Sequence, residues 1–177
     1  MRHTKEELVD LIINNPAEFN SIREENDEEF DLTESHFDNC TLGNVNFTNI
    51  DFNGSTFSDS DLSCVTFVDC DLTSVDFTRS NIVESDFSDS LLVGVDFSYA
   101  TLSYCKFNET DLSGAIFNGA DLSDSDLSAA DNLEACRFDE DTVWPDIDML
   151  PDDFDSTCSG DLSMLKDDED DQSICDY

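Results

Sequence analysis

Residues 60–87 read SDLSCVTFVDCDLTSVDFTRSNIVESDF, with a large apolar residue at every fifth position. The spacing holds without a gap from residue 31 to residue 128, and the large positions are Leu32, Phe37, Leu42, Phe47, Phe52, Phe57, Leu62, Phe67, Leu72, Phe77, Ile82, Phe87, Leu92, Phe97, Leu102, Phe107, Leu112, Phe117, Leu122 and Leu127. The residue two positions earlier is nearly always small. Neither a helix, with a period of about 3.6, nor a strand, with a period of about 2, keeps a five-residue repeat on one face. Each unit must therefore stack on others to bury its two inward positions.

The repeat resembles that of pentapeptide-repeat proteins, whose consensus is Ala-Asp/Asn-Leu/Phe-x-x. Residues 120–124 (Ala-Asp-Leu-Ser-Asp) and 100–104 (Ala-Thr-Leu-Ser-Tyr) carry the match. The resemblance covers twenty repeats and implies an all-β solenoid, a right-handed quadrilateral β-helix with four repeats per coil and about five coils.

Four repeats per coil place residues twenty apart above one another. In that register one face carries a phenylalanine column from Phe37 to Phe117, and the opposite face carries one from Phe47 to Phe107 that ends in Leu127. Rings stacked at the strand spacing of about 4.8 Å are a favourable core. We therefore interpret the phenylalanines as core residues and not as a ligand site.

The first 29 residues do not follow the repeat. Thr4 and Glu7 have the spacing of a capping box, and Pro16 suits the first position of a second helix with Phe19 and Ile22 facing inward. We predict that residues 1–29 form a short N-terminal α-helical cap, because an uncovered first coil would offer unpaired strand edges.

The repeat domain is predicted to span residues 30–145, with one residue too many near Asn132 and with Trp144 covering the last coil. Residues 146–177 are predicted to be a disordered acidic C-terminal tail, since 15 of the 39 residues from Asp139 onward are acidic and one is basic. Apolar groups among these carboxylates indicate contact with a basic partner, and the alternative is a solubilising spacer. The candidate tail residues are Met149, Leu150, Asp152, Asp153 and Phe154.

The net charge of −37 argues against direct binding to nucleic acid or an anionic membrane and favours a basic partner. There is no apolar signal-peptide segment at the N-terminus and no apolar run near eighteen residues. Seven cysteines without C-x-x-C pairing suit a reducing cytoplasm. Cys40, Cys70, Cys105 and Cys136 fall at small inward positions, where we expect buried thiols, whereas Cys64 points outward.

The chain carries no nucleotide-binding, nucleophile-elbow, zinc or calcium motif, and both histidines are isolated. A repeat without insertions offers no pocket in which a catalytic group could be tuned. We predict no enzyme activity, no cofactor and no metal.

The outward charges form columns in the twenty-residue register. Between residues 31 and 138 there are 20 acidic and three basic residues, a net charge of −17 on a rod of about 24 Å. B-DNA carries about 14 charges over that length. Since stacked carboxylates repel each other, we expect that folding alone would not select such columns. The candidate partner-binding residues are Asp31, Asp51, Asp71 and Asp111 in one column, Asp69, Asp89 and Glu109 in a second, and Asp86 and Asp126.

Some pentapeptide-repeat proteins, notably the Qnr-type and mycobacterial quinolone-resistance proteins, mimic duplex DNA and occupy the DNA-binding surface of gyrase or topoisomerase IV. The resemblance in rod and acidity implies a DNA mimic that inhibits a basic DNA-binding protein, DNA gyrase, a topoisomerase or another. The chain differs from these proteins in two respects: its repeats contain no projecting loops, and its sequence shows no C-terminal dimerisation helix. Its oligomeric state is therefore left open. The alternative is a non-catalytic scaffold that recruits a partner through the tail or through an outward patch of Leu91, Tyr99, Tyr104 and Ile116.

Overall fold

The computed structural model describes residues 3–25, 29–152 and 154–155. Its repeats coil so that the residue before each large position pairs in parallel with the residue twenty further along. One such column runs through His36, Thr56, Asp76, Asp96 and Ile116. Strand β1 is Phe30–Asp31 and strand β2 is Ile50–Asp51, and they pair in the same register. The pairing confirms four repeats per coil.

Each corner of a coil is a tight turn. The N–H of the small residue donates to the carbonyl of the large residue three positions earlier, as from Ser55 to Phe52 at 2.8 Å. The residue before the small one has a positive φ, for example 69° at Gly54 and 62° at Asp89. A positive φ at the third residue defines a type II turn, and glycine, asparagine and aspartate tolerate it best. The third residue of each turn is therefore often glycine, asparagine or aspartate.

Two ladders of phenylalanine rings fill the core. In the first, Phe37 and Phe57 stack with their centroids 4.8 Å apart, and the series continues to Phe117. In the second, Phe67 and Phe87 stack 5.1 Å apart. The ladders meet edge to face, with Phe67 and Phe77 at 5.5 Å and 76°. Both columns predicted from the register are confirmed, and both ring geometries are favourable.

Serine and cysteine at the small inward positions satisfy backbone groups inside the core. The Ser85 hydroxyl donates to the Leu62 carbonyl at 2.8 Å and accepts the N–H of Val65 at 3.0 Å. The Cys70 thiol donates in the same way to the Phe47 carbonyl at 2.9 Å. Burial raises the pKa of Cys70 and of Cys105 to about 12. These thiols act as small core residues, as predicted.

Two helices cover the first coil, α1 at Lys5–Asn14 and α2 at Pro16–Glu25. The predicted capping box forms between Thr4 and Glu7. Phe19 is buried, whereas Ile22 is half-buried and its neighbour Arg23 lies inside.

Polar side chains of the helices pair with the open edge of the first coil. Asn20 donates to the Asn44 carbonyl and accepts the N–H of Asn46, both at 2.9 Å. Arg23 donates to the Thr48 carbonyl and packs 4.8 Å from the ring centroid of Phe30. The helices therefore supply hydrogen-bond partners to the strand edge as well as apolar cover.

The last coil extends beyond the predicted boundary. A 3-10 helix at Leu133–Ala135 absorbs the extra residue, so that Ile116 pairs with Arg137, twenty-one positions on. The N–H of Leu122 then donates to the Val143 carbonyl, and that of Leu127 to the Met149 carbonyl. The backbone ladder thus continues to Met149, past the predicted end of the repeat domain at residue 145.

Several predicted tail residues form the lid of this coil. A second 3-10 helix at Ile147–Met149 leads to Leu150, which is buried, and Phe154 packs 4.8 Å from Trp144. Trp144 in turn contacts Phe117, as expected of a lid. The tail, predicted to be largely disordered, is ordered at these positions, because the top of the core offers their apolar side chains a surface to bury. Asp152 is exposed, and residues 153 and 156–177 lie outside the described residues.

We expect a chain ending after Pro145 to be less stable than one ending after Asp155 by about 2–4 kcal/mol, because the shorter chain loses Leu150 and Phe154 from the lid. Thermal unfolding followed by circular dichroism measures the difference. Equal unfolding temperatures would show that the lid contributes nothing.

Phe77→Asp should unfold the rod, since an unpaired carboxylate in the middle of the ladder costs at least about 4 kcal/mol. Phe77→Leu is the matched control and should cost about 1.5 kcal/mol or less. Chemical denaturation of both variants tests the assignment. A folded Phe77→Asp protein would contradict the inward register.

Candidate partner-binding surface

The predicted acidic columns run along one edge of the rod, which we call the acidic edge. The first column holds outward residues that precede large positions, and the backbone pairs Asp51 with Asp71, Asp71 with Leu91, and Leu91 with Asp111. The second column lies at the adjacent corner, where Asp69, Asp89 and Glu109 have positive φ. The structure therefore brings together Asp31, Asp51, Asp71, Asp111, Asp69, Asp89 and Glu109.

Carboxylates of the first column accept hydrogen bonds from residues two positions later and so close local turns. Asp71 accepts the N–H of Thr73 at 2.9 Å, and Asp111 accepts the N–H of Ser113 at 3.0 Å and its hydroxyl at 2.6 Å. The hydroxyl bond from Ser113 keeps the pKa of Asp111 below its usual value. The expectation that folding alone would not select these carboxylates is wrong for this column, because each one closes a local turn.

Asp86 and Asp126 lie on the neighbouring face and are also used by the fold. Each accepts the hydroxyl of the serine two residues later at 2.6 Å. Lys106 lies between them in the ladder and pairs with Asp86 at 3.2 Å. A basic residue therefore interrupts this column, and we place it outside the acidic edge.

The second column differs in having no internal partners. Within the part of the chain that the structure describes, the carboxylates of Asp69, Asp89 and Glu109 make no hydrogen bond and no ion pair. Arg79, which could neutralise carboxylates, pairs instead with Asp59 on another edge at 2.6 Å. The sequence showed this column but not its lack of partners, which depends on side-chain geometry.

The acidic edge contains a shallow concavity of about 250 Å³. Leu91 lies in it and is 48% exposed. The other lining residues are Glu29, Asn49, Ile50, Asp51, Asp69, Cys70, Asp71 and Asp89.

The outward patch suggested by Leu91, Tyr99, Tyr104 and Ile116 does not form. Tyr99 and Tyr104 are 62% and 58% exposed, but they occupy two successive corners away from the acidic edge. Ile116 is half-buried on a further face, in the column of His36. The register separates these residues because they differ in their position within the coil.

No group of three or more histidine, cysteine or acidic side chains in the described residues is arranged to hold a metal ion. Among those residues there is also no helix with the length and apolar character needed to cross a bilayer. The acidic edge offers charge, a concavity and the exposed side chain of Leu91.

The coil geometry defines a β-solenoid built from five-residue repeats. The family model described as pentapeptide repeat region matches residues 30–104 and 61–138, which together make up more than half of the chain. The chain belongs to the pentapeptide-repeat family, whose fold is a right-handed quadrilateral β-helix.

Solved structures similar to the chain include three pentapeptide repeat or resistance proteins. A pentapeptide repeat protein of the Arabidopsis thaliana thylakoid lumen shares 25% identity over 50% of this chain and 66% of that one, with a TM-score of 0.44. Rfr23 from the cyanobacterium Cyanothece 51142 shares 20% over 72% and 99%, with a TM-score of 0.48. QnrB1, a plasmid-mediated fluoroquinolone resistance protein, shares 20% over 62% and 58%, with a TM-score of 0.36. No curated protein matches the chain significantly.

Hydrogen bonds from Ser63 and Ser113 hold the pKa of Asp61 and of Asp111 below its usual value. These two ionised carboxylates therefore stabilise the folded protein at pH values above the unfolded pKa of about 3.9, and the stabilisation is lost as the pH falls through the folded pKa. Asp61→Asn with Asp111→Asn keeps an acceptor but does not titrate. As the pH falls from 6 to 2, the parent loses this stabilisation and the variant does not. The unfolding temperature of the variant minus that of the parent should therefore increase over this range.

Thermal melts of both proteins across this range make the comparison. A temperature difference that is the same at every pH would show that these turns do not depend on ionised carboxylates.

Proposed function

We propose that the protein is an acidic binding protein that mimics DNA and occupies the DNA-binding surface of a basic DNA-binding protein, thereby inhibiting or modulating it. The observation that carries the proposal is the column of Asp69, Asp89 and Glu109, whose carboxylates have no partner within the described residues. DNA gyrase or another type II topoisomerase is the first candidate partner, from the resemblance to quinolone-resistance proteins.

The unpartnered column has a cost for the fold. Carboxylates one strand spacing apart, about 4.8 Å, repel each other by on the order of 1 kcal/mol even in water. In two other columns a basic residue pairs with an acid, Lys106 with Asp86 and Arg79 with Asp59. A surface that only needs to be soluble does not require three stacked acids without a counter-charge, whereas a surface that replaces phosphates does.

The proposed mechanism is electrostatic competition. A groove that binds duplex DNA presents lysine and arginine side chains to closely spaced negative charges. The acidic edge presents carboxylates from two adjacent columns to the same side chains. Affinity should fall with added salt, but more gently than for DNA, because separate carboxylates do not condense counterions as a duplex does.

A second candidate function is a non-catalytic scaffold unrelated to DNA. The observation that favours it is the exposure of Tyr99 and Tyr104 on corners away from the acidic edge. Tyrosine is enriched in protein interfaces because it combines apolar area with a polar tip. In this alternative the charge solubilises the rod, and the partner binds the tyrosines or residues 156–177.

A cytoplasmic location stays a prediction, as does the absence of direct contact with nucleic acid and membranes. Both follow from charge and cysteine usage.

Asp69→Asn, Asp89→Asn and Glu109→Gln combined should reduce inhibition of gyrase–DNA binding while raising the unfolding temperature slightly, because the repulsion is relieved and no hydrogen bond is lost. Gel-shift competition with purified gyrase and duplex DNA measures the first effect, and thermal melts measure the second. The matched control is Asp61→Asn, Glu84→Gln and Asp121→Asn, which removes the same charge from another face. If the two variants inhibit equally, the acidic edge has no specific role.

Partner capture decides between the two functions. The immobilised protein should capture basic proteins from a lysate, and added duplex DNA should release them. Partners that remain bound in the presence of duplex would contradict the decoy and support the scaffold.

A further inference from the structure

Leu91 occupies an unusual place on the acidic edge. It stands between Asp71 and Asp111 in the backbone ladder, where aspartate would complete the acidic column. Its neighbour Leu92 fills the core, whereas Leu91 is 48% exposed. An isolated exposed leucine is ordinary on a protein surface. Leu91 differs because it lies in a concavity whose walls are carboxylates.

The size of the concavity limits what it can receive. Its volume of about 250 Å³ lies below the range of about 300–1,000 Å³ that is usual for sites enclosing a small molecule. It lies between the two acidic columns, and its exposed apolar side chain is Leu91, because the Ile50 and Cys70 side chains are buried in the core. A single protruding side chain fits this shape better than a free cofactor does.

The chemistry of the walls selects that side chain. The carboxylates of Asp69, Asp71 and Asp89 attract a cation, and the exposed Leu91 side chain favours contact with apolar atoms. Arginine combines a weakly hydrated planar guanidinium with an aliphatic stem, and it pairs with two carboxylate oxygens at once. Lysine offers an ammonium that stays strongly hydrated.

We propose that the concavity around Leu91 is the docking site for an arginine side chain of a protein partner. The stem packs on Leu91, and the guanidinium bonds to Asp71 and Asp89. The proposal rests on the proposed function in one respect, that the partner is basic. It makes Leu91 a specificity residue, because contact with a leucine is something that duplex DNA does not offer.

The test uses two substitutions that both remove the apolar contact but differ in charge. Leu91→Ala removes the apolar contact at constant charge. Leu91→Asp removes the same contact but completes the column, which strengthens attraction of any cation. The matched control is Ile116→Ala, an apolar residue at the equivalent outward position of another face. Thermal melts verify that each variant of the full chain is folded.

Fluorescence anisotropy with labelled hexa-arginine and hexa-lysine peptides at physiological salt gives the affinities. Leu91→Ala should bind hexa-arginine about fivefold more weakly than the parent, the size expected for losing one or two buried methylene contacts, and should bind hexa-lysine as the parent does. Leu91→Asp should bind hexa-lysine more tightly, so the ratio of hexa-arginine to hexa-lysine affinity should fall about fivefold in both Leu91 variants and stay unchanged in Ile116→Ala. If that ratio is the same in Leu91→Ala, Leu91→Asp and the parent, the docking site does not exist.

The outcome is separable from that of the proposed function. Loss of gyrase inhibition in the variant of the Asp69 column, together with an unchanged preference of Leu91→Ala and Leu91→Asp for hexa-arginine over hexa-lysine, would support the decoy and remove the docking site. Leu91-dependent arginine binding without competition for duplex DNA would do the reverse.

Discussion

The parallel backbone ladder between residues twenty apart is the interaction on which the structure depends. It places every side chain directly above its counterpart in the preceding coil, and it therefore repeats whatever chemistry the sequence puts there. For Phe57 and Phe77 the result is a stacked pair at 5.2 Å, which is favourable. For Asp69 and Asp89 the same translation brings two like charges together. Core stability and surface repulsion thus arise from one geometric rule.

Much of this could be predicted from the sequence, because the repeat has a single register. A slip of one residue would turn Phe77 to solvent and Asp76 into the core, so the spacing alone identifies the inward positions. Trp144 was predicted as part of the lid, but the contribution of Leu150 and Phe154 was missed for the opposite reason. Around Leu150 and Phe154 the composition is acidic and no repeat is present. The acidic composition therefore led to a prediction of disorder, although two apolar side chains are present. What orders them is the uncovered top of the core, which is a tertiary feature.

The acidic columns, too, could be predicted only in part. Their membership follows from counting in twenties, but counting does not separate carboxylates that close a turn from carboxylates that do not. Asp111 binds the backbone and hydroxyl of Ser113, whereas Glu109, two residues earlier, has no internal partner within the described residues. Two acids that look alike in sequence therefore differ in what they do for the fold. The unpartnered ones are the better candidates for contact with another molecule.

The repeat also sets unequal tolerances to insertion and deletion. Removing twenty residues would shorten the rod by one coil and leave every column in place, because each face would keep its own sequence. Removing five would rotate all later repeats by a quarter of a coil. The core would accept that change, since leucine and phenylalanine already exchange between faces, but Asp89 and Glu109 would no longer lie above Asp69. Rods of this kind can therefore vary in length by whole coils without losing a surface site, whereas a change by a single repeat keeps the fold and erases the site.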